Sequence, residues 1–319
     1  MKLLGILVAA MALLSPLTAQ AQDYPNHYIT LIVPLAPGSG TDAIARLVAA
    51  RLGDVLGKQI VVENKVGANG AIGTAAAARA APDGYTLLVG GTTTHAGNPN
   101  LMKTITYNPV TDFTPVGQLG VYPYALLVSG SSPYATMADL VAAAKAKPGT
   151  LSFAYANALG QLSGEMLKQR ASIDVTAVAY RGSPQAITDI IGGRVTMMFV
   201  DTTPATAQIQ AGTVRALAVT TEHRTNVLPN VPTMAEAGLS GPRVEAWNGL
   251  FAPAKTPKPI IDKLSAALAQ LLSQPDLKKQ MEGIGFEAEP TTPEVFAKRV
   301  AEEVALWARL TKQAGLEPE

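Results

Sequence analysis

The chain has 319 residues, 15% charged and 48% hydrophobic, with 25 Lys+Arg set against 24 Asp+Glu and no cysteine. The even charge balance excludes a polybasic nucleic-acid surface, and the missing cysteines exclude disulfides, thiolate nucleophiles, zinc-thiolate sites and a lipid-modified anchor. Three scattered histidines, His27, His95 and His223, show no HxH or HxxxH spacing, so neither a metal nor a cofactor is expected.

Met1 to Ala21 reads as a cleaved secretory signal: Lys2, the apolar run Leu3 to Leu17, then Ala19-Gln20-Ala21 as the small-x-small pattern. Its removal leaves 298 residues with no formal net charge, a length that suggests two lobes of roughly 100 to 200 residues each. No remaining apolar run approaches the ~18 residues of a membrane span, so an exported, soluble periplasmic protein is expected.

Ile29 to Val33 is the first expected strand. It feeds Pro34-Leu35-Ala36-Pro37-Gly38-Ser39-Gly40-Thr41 and then a helix whose Ile44, Leu47, Val48, Leu52 and Val55 recur at helical spacing, closed by Gly57. A strand at Ile60 to Val62, a loop at Glu63 to Gly73 and an alanine-rich helix through Ala80 follow. Pro82-Asp83-Gly84 turns the chain into a strand at Tyr85 to Val89, and Gly90 to Thr114 reads as a long loop. Val116 to Val128 reads as extended chain carrying the first crossing between lobes.

A second α/β run has a helix near Ala138 to Lys145, a strand at Leu151 to Ala154, a helix from about Gly164 and a strand at Thr176 to Ala179. Pro184 opens a helix that ends at Gly192-Gly193, before strands at Val195 to Val200 and Val214 to Thr220. Thr221 to Pro242 reads as loop, and Val244 to Phe251 as the return crossing. Helices at Ile260 to Ser273 and from Pro293 to about Ala314 end the chain. The alternation predicts mostly parallel sheets covered by helices. Its plan is two discontinuous α/β lobes joined by two crossover segments: 22–121 plus 247–319 as lobe one, 122–246 as lobe two.

Strand ends are where open α/β sheets bind ligands. The glycine loop after Val33 opens a helix, whose free amides and dipole attract an anion, and Gly38 and Gly40 let a ligand approach the backbone. Asp42 reads either as part of that site or as a helix cap. The same loop also fits GxGxxA, with Glu63 about 20 residues on, the outline of a dinucleotide site; Pro34, Pro37 and the export signal argue against it. Gly67 to Gly73 reads equally as turn or ligand contact. Gly90-Gly91-Thr92-Thr93 ends the third strand, and Tyr155-Ala156-Asn157, Tyr180-Arg181-Gly182-Ser183 and Asp201-Thr202-Thr203 hold the equivalent places in lobe two. Arg181 reads equally as a solvated cation, and Asp201 as a cap. No GxSxG, SxxK, HExxH or CxxC occurs, so an exported Ser or Thr hydrolase would need an unrecognised triad with His95 as its one strand-end histidine.

These segments resemble, in order and spacing, the extracytoplasmic solute receptors of the tripartite tricarboxylate transporter type, the TctC-like or Bug receptors. The likeness runs through Pro34-Leu35-Ala36-Pro37-Gly38-Ser39-Gly40-Thr41-Asp42, Val61-Val62-Glu63-Asn64-Lys65, Pro82-Asp83-Gly84-Tyr85, Tyr180-Arg181-Gly182-Ser183-Pro184, Ile191-Gly192-Gly193-Arg194-Val195, Val231-Pro232-Thr233-Met234 and Trp247-Asn248-Gly249-Leu250-Phe251-Ala252-Pro253. The resemblance implies a type II-like Venus-flytrap fold, no enzymatic activity, a small carboxylate ligand, and membrane permease subunits as partners of a monomeric receptor. The ligand set it implies, taken with the strand-end reading, is Ala36, Gly38, Ser39, Thr41, Thr92 and Thr93 from lobe one, with Tyr155, Asn157, Arg181 and Asp201 from lobe two. One segment departs from the family pattern. Tyr155 to Gln161 looks like a shortened loop, with Gln161 where histidine is usual. A sensor feeding a signalling kinase is an alternative role for the same fold.

Overall fold

The computed structural model describes residues 24–239 and 245–318. The expected signal peptide therefore lies outside the described residues. Two mixed sheets form the frame. In the first, β1 (Ile29–Val33) lies between β2 (Ile60–Asn64) and β3 (Thr86–Gly91), parallel to both. The sheet continues antiparallel through β10 (Ala246–Pro253), β4 (Phe113–Tyr122) and β11 (Glu287–Ala288). In the second, β6 (Leu151–Tyr155) lies parallel between β7 (Val175–Ala179) and β8 (Met197–Asp201), and β5 (Tyr124–Ser129) and β9 (Val214–Val219) complete it antiparallel.

The expectation of mostly parallel sheets is thus corrected, because the crossing strands enter each sheet against its parallel core. Val116 to Val128 is two strands, one per sheet, parted at Pro123. Proline has no amide to continue a ladder, and its carbonyl instead accepts from the Thr202 amide at 3.1 Å. The return strand meets the outgoing one at the crossing, where Ala246 pairs with Tyr122.

Helix α1 (Gly40–Leu56) follows β1 and ends at Gly57, left-handed at φ 69° as its sequence predicts, while its N-cap is Ser39 rather than the expected Asp42. Its buried stripe of Ile44, Val48 and Leu52 packs on the first sheet. Helix α2 (Ala71–Ala78) then leads into β3. The expected long loop after β3 contains a π-helical turn, Thr93–Gly97, and the short α3 (Asn98–Leu101). In the second lobe α4 (Met137–Ala146) starts in a Thr136–Asp139 capping box.

Helix α5 spans Ala158–Ala171, six residues longer at its start than the sequence suggested. Asn157 causes this, since its Oδ1 accepts from the Gly160 amide at 2.9 Å. Gln161 therefore lies in the helix, and the connection from Tyr155 into it is a single capped turn. Helix α6 (Ser183–Ile191) covers the other face, and α7 (Thr206–Gln210) leads into β9. The tail packs α8 (Lys258–Leu272), α9 (Pro275–Gly283) and α10 (Pro293–Gln313) behind the first sheet, where Trp247, Phe251, Phe296 and Trp307 are fully buried. At ~1.5–3 kcal/mol per buried large apolar side chain, such residues supply much of the driving force for this lobe.

Candidate functional site

The C-terminal ends of β1 and β3 in one sheet, and of β6, β7 and β8 in the other, face each other across the lobe interface. Between them lies a cavity of about 560 Å³. One wall is Pro34 to Pro37 with the Val66–Gly70 turn; the other is Ala156, Tyr180 and Arg181. The walls come close at their edge, where a Cβ on Gly182 would stand 3.0 Å from the Cβ of Ala36. Among the described residues, Arg181 is the only charged one in the lining. Its turn is held by Tyr180, whose amide donates to the Tyr155 carbonyl at 2.8 Å and whose hydroxyl donates to Asp189 Oδ2 at 2.8 Å.

Ala36 and Arg181 thus share one cavity, and the ambiguous Gly67–Gly70 segment lines it as well. Thr41, Thr92 and Thr93 lie together a step deeper, in a narrow gap bounded by Tyr122 and Asn248. Several other expected site residues carry backbone duties. Ser39 Oγ accepts from the Asp42 amide at 3.3 Å, and the Gly38 amide donates to Asp42 Oδ2 at 2.9 Å. Of the first amides of α1, those of Gly40 and Thr41 are then left for partners outside the helix. Thr92 Oγ1 accepts from the Trp247 amide at 2.9 Å and donates to the Glu245 carbonyl at 3.3 Å, pinning the return crossing. Asn157 accepts from Tyr124 at 2.9 Å in addition to capping α5. Tyr155 is half-buried and packs near Phe153, with ring centroids 6.0 Å apart, while its neighbour Ala156 lines the cavity.

Asp42 was open between cap and anion site. It sits at the third helical position as a partner of the cap. Burial pushes its carboxyl up, but donors from Arg46, the Gly38 amide and Asn64 outweigh that and hold it below the usual carboxylate range. Glu63, the candidate ribose partner of the dinucleotide reading, is instead paired with Lys65 at 3.3 Å.

Asp201 behaves in the opposite way. It is 3% exposed, its Oδ1 lacks a hydrogen-bond partner, and burial pushes its carboxyl up to about 7. The side chain lies against Gly40 of the other lobe, close enough that a Cβ there would stand 2.2 Å from Oδ1. Tyr122 and Tyr124 lie beside it, and burial first, then the nearby carboxylate, keeps both phenols protonated. The tyrosines were missed in sequence. Their one signal is a proline set between two aromatic residues in an extended run.

His95, the one strand-end histidine, is fully buried and stacked on Phe251 at 4.1 Å. Burial lowers its imidazole to about 3, so it is a neutral packing group, its Nδ1 paired with Thr94 Oγ1 at 2.9 Å. It is sealed from the cavity that a hydrolase would use.

The profile of the tripartite tricarboxylate transporter family receptor matches residues 44–316. A UPF0065 protein in the TAR-I ttuE-ttuC' intergenic region of Agrobacterium vitis is 39% identical, over 97% of this chain and 91% of that protein. Among solved structures, R. palustris Rpa4515 with adipate superposes with a TM-score of 0.90 at 35% identity, covering 93% of this chain and all of that one. MatC from Rhodopseudomonas palustris with bound malate gives 0.85 at 34% identity, covering 90% and 99%. Among the described residues no helix is long and apolar enough to cross a membrane. The two-lobed fold with a cavity between its sheets agrees with these matches, and the chain belongs to the TctC/Bug family of periplasmic solute receptors, a non-enzymatic family.

Proposed function

We propose that this receptor captures a small dicarboxylate between its lobes and delivers it to the permease subunits of a tripartite tricarboxylate-type transporter. The observation that carries the reading is the cavity itself, apolar along most of both walls, with Arg181 as its single charged lining group. One ligand carboxylate pairs with Arg181; the other meets the open amides at the head of α1, where the helix dipole favours negative charge. The methylene body lies along Pro34, Leu35, Ala36 and Ala156. Adipate in Rpa4515 and malate in MatC, each about 35% identical to this chain, fit that pattern of charge at two ends.

In this reading the lobes are 22–121 plus 247–319 and 122–246, the leader is cleaved after Ala21, and the receptor works as a monomer. Of the expected site residues, Ala36, Thr41, Thr93 and Arg181 meet the ligand directly. Gly38, Ser39, Thr92, Tyr155, Asn157 and Asp201 shape the walls and their closure. A ligand that touches both lobes stabilises the closed form over the open one, so no covalent step is needed.

The test is a panel of dicarboxylates from four to six carbons offered to the mature protein, read by calorimetry and by the mass of the recovered ligand. Micromolar or tighter binding of an unaltered diacid is expected. Binding of none of them, or a chemically changed product, overturns the proposal. Arg181→Gln removes one charge-assisted partner, worth about 1.5–3 kcal/mol, and should weaken the bound diacid by about 10- to 100-fold. The matching monocarboxylate should lose far less. A diacid affinity unchanged by Arg181→Gln would take Arg181 out of ligand recognition.

A further inference from the structure

The contact between Asp201 and Gly40 is an unusual join between two lobes that must part. A carboxyl with one unpartnered oxygen, nine-tenths and more buried, is aimed at the first residue of a helix in the opposite lobe. On its own lobe the backbone amides of Asp201 and Thr203 lie beside it, and the Thr203 hydroxyl nearby is itself without a hydrogen-bond partner. Facing it are Gly40 from the other lobe and, at the crossing between the lobes, the Tyr122 side chain. Gly40 has an ordinary helical conformation and needs no glycine for its dihedrals. What requires glycine there is the carboxyl, which occupies the space a Cβ would take.

We infer that Asp201 is the closing residue of this receptor, a carboxyl that docks neutral on the head of α1, so that lobe closure takes up one proton from solvent. The inference rests on the reading of the cavity as a cleft that opens and closes. When the lobes part, water reaches the carboxyl and its pKa returns toward the ordinary aspartate value of about 3.9. When they meet, water is expelled and no cation replaces it. The upward shift to about 7 in the joined state has desolvation as its largest cause, and no charged partner lowers it.

The other titratable groups around the contact do not compete for the proton. Asp42, two residues along α1, stays ionised against Arg46, with Nη2 to Oδ1 at 3.0 Å. Tyr122 and Tyr124 stay protonated. At the back of the contact Thr202 donates to the Gly285 carbonyl at 2.9 Å, and that turn places no charge against Asp201; Glu287, beyond it, is itself raised by burial.

The sign follows from linkage. The closed form binds the proton more tightly, so closure is favoured below about pH 7 and loses that advantage as pH rises from about 4 to about 7. Taking those two pKa values, the closing constant should be about a hundredfold larger at about pH 5 than at about pH 8.5.

The absence of cysteine permits a clean test. Ala36→Cys with Gly182→Cys places the two Cβ atoms near disulfide range and staples the lobes shut when oxidised. Carbon-13 NMR of the Asp201 carboxyl, assigned against Asp201→Asn, is followed through pH in the stapled protein, its reduced form and the unmodified chain, with solution scattering reporting compaction. The expected result is a midpoint near neutrality when stapled and an ordinary aspartate midpoint in whichever form scattering shows to be open. Unstapled protein should compact as pH falls, and Asp201→Asn should lose that dependence. The same midpoint in open and closed forms overturns the inference. So does an unstapled chain equally compact at both ends of the pH range. No ligand enters these measurements, so their failure leaves the diacid reading standing, and failure of the diacid panel leaves this inference standing.

Discussion

Gly40→Ala should leave the protein folded and weaken ligand binding by about 10- to 100-fold, the range expected when a methyl is forced into a packed contact at about 1–3 kcal/mol. Within lobe one the change is benign. Gly40 opens α1 in a helical conformation, and alanine is the better helix former. The effect comes from the other lobe. The new Cβ would stand 2.2 Å from Asp201 Oδ1, 2.9 Å from its Cγ and 3.3 Å from Thr203 Oγ1, so the lobes cannot meet as they do here. Aspartate is short, and Tyr122 and Tyr124 crowd its far side, which leaves it little room to swing away. The ligand-free melting temperature should change by no more than about 2 °C, since surface-like changes outside the core stay within about 0.5 kcal/mol. Asp201→Ala removes the clashing carboxyl, so adding it to Gly40→Ala should recover part of the lost affinity, a non-additive pair across the interface. If Gly40→Ala binds as tightly as the parent, the approach of these two residues is no part of the bound state.

Much of the scaffold can be read along the chain, and the reasons for the failures are physical. In lobe one, β1, α1 and Gly57 fall where periodicity and cap chemistry place them, because a strand buried beneath an amphipathic helix leaves both of its periods in the sequence. The start of α5 was misread because Asn157 can end a strand loop or cap a helix. The choice is made by the Gly160 amide and by Tyr124, a residue from another strand. The turn at Thr93–Gly97 and helix α9 carry weak local signals and are set by packing against α10 and the first sheet.

The site divides in the same way. Ala36 and Arg181 follow from the rule that ligands gather at strand ends, and they share the cavity. Ser39, Thr92 and Asn157 sit at such ends too, yet their oxygens serve the backbone, and nothing in residue type distinguishes the two uses. The meeting of Gly40 with Asp201 could not be foreseen, since it joins two lobes across 160 residues of chain. A glycine free of positive φ was its only trace.

Asp42→Ala should be the most destabilising change at the site, by about 2–4 kcal/mol, because it removes one anion from several donors at once. Oδ2 accepts from the Gly38 amide at 2.9 Å and from Arg46 Nε at 3.1 Å; Oδ1 accepts from Asn64 Nδ2 at 2.9 Å. The same Asn64 amide also donates to the Leu35 carbonyl at 3.2 Å. The carboxylate therefore ties both ends of the Leu35 to Gly38 wall to α1 and to β2. Without it the Gly38 amide and Asn64 lose their acceptor, and the wall lining the cavity loosens. A fall in melting temperature of about 5–10 °C is expected for a domain of this size, accompanied by weaker ligand binding. Asp42→Asn keeps one acceptor oxygen and should cost less.

The pH dependence runs opposite to that of Asp201. The Asp42 carboxyl is held below its ordinary value, so its contribution is present above the usual carboxylate range and is lost as pH falls through the depressed folded pKa. Parent and Asp42→Ala proteins should then converge in stability under acid and separate near neutrality. Equal melting temperatures at neutral pH would mean that the loop is held by its glycines and prolines alone. A gap that stays constant into acid would mean that Asp42 acts by its shape and not by its charge.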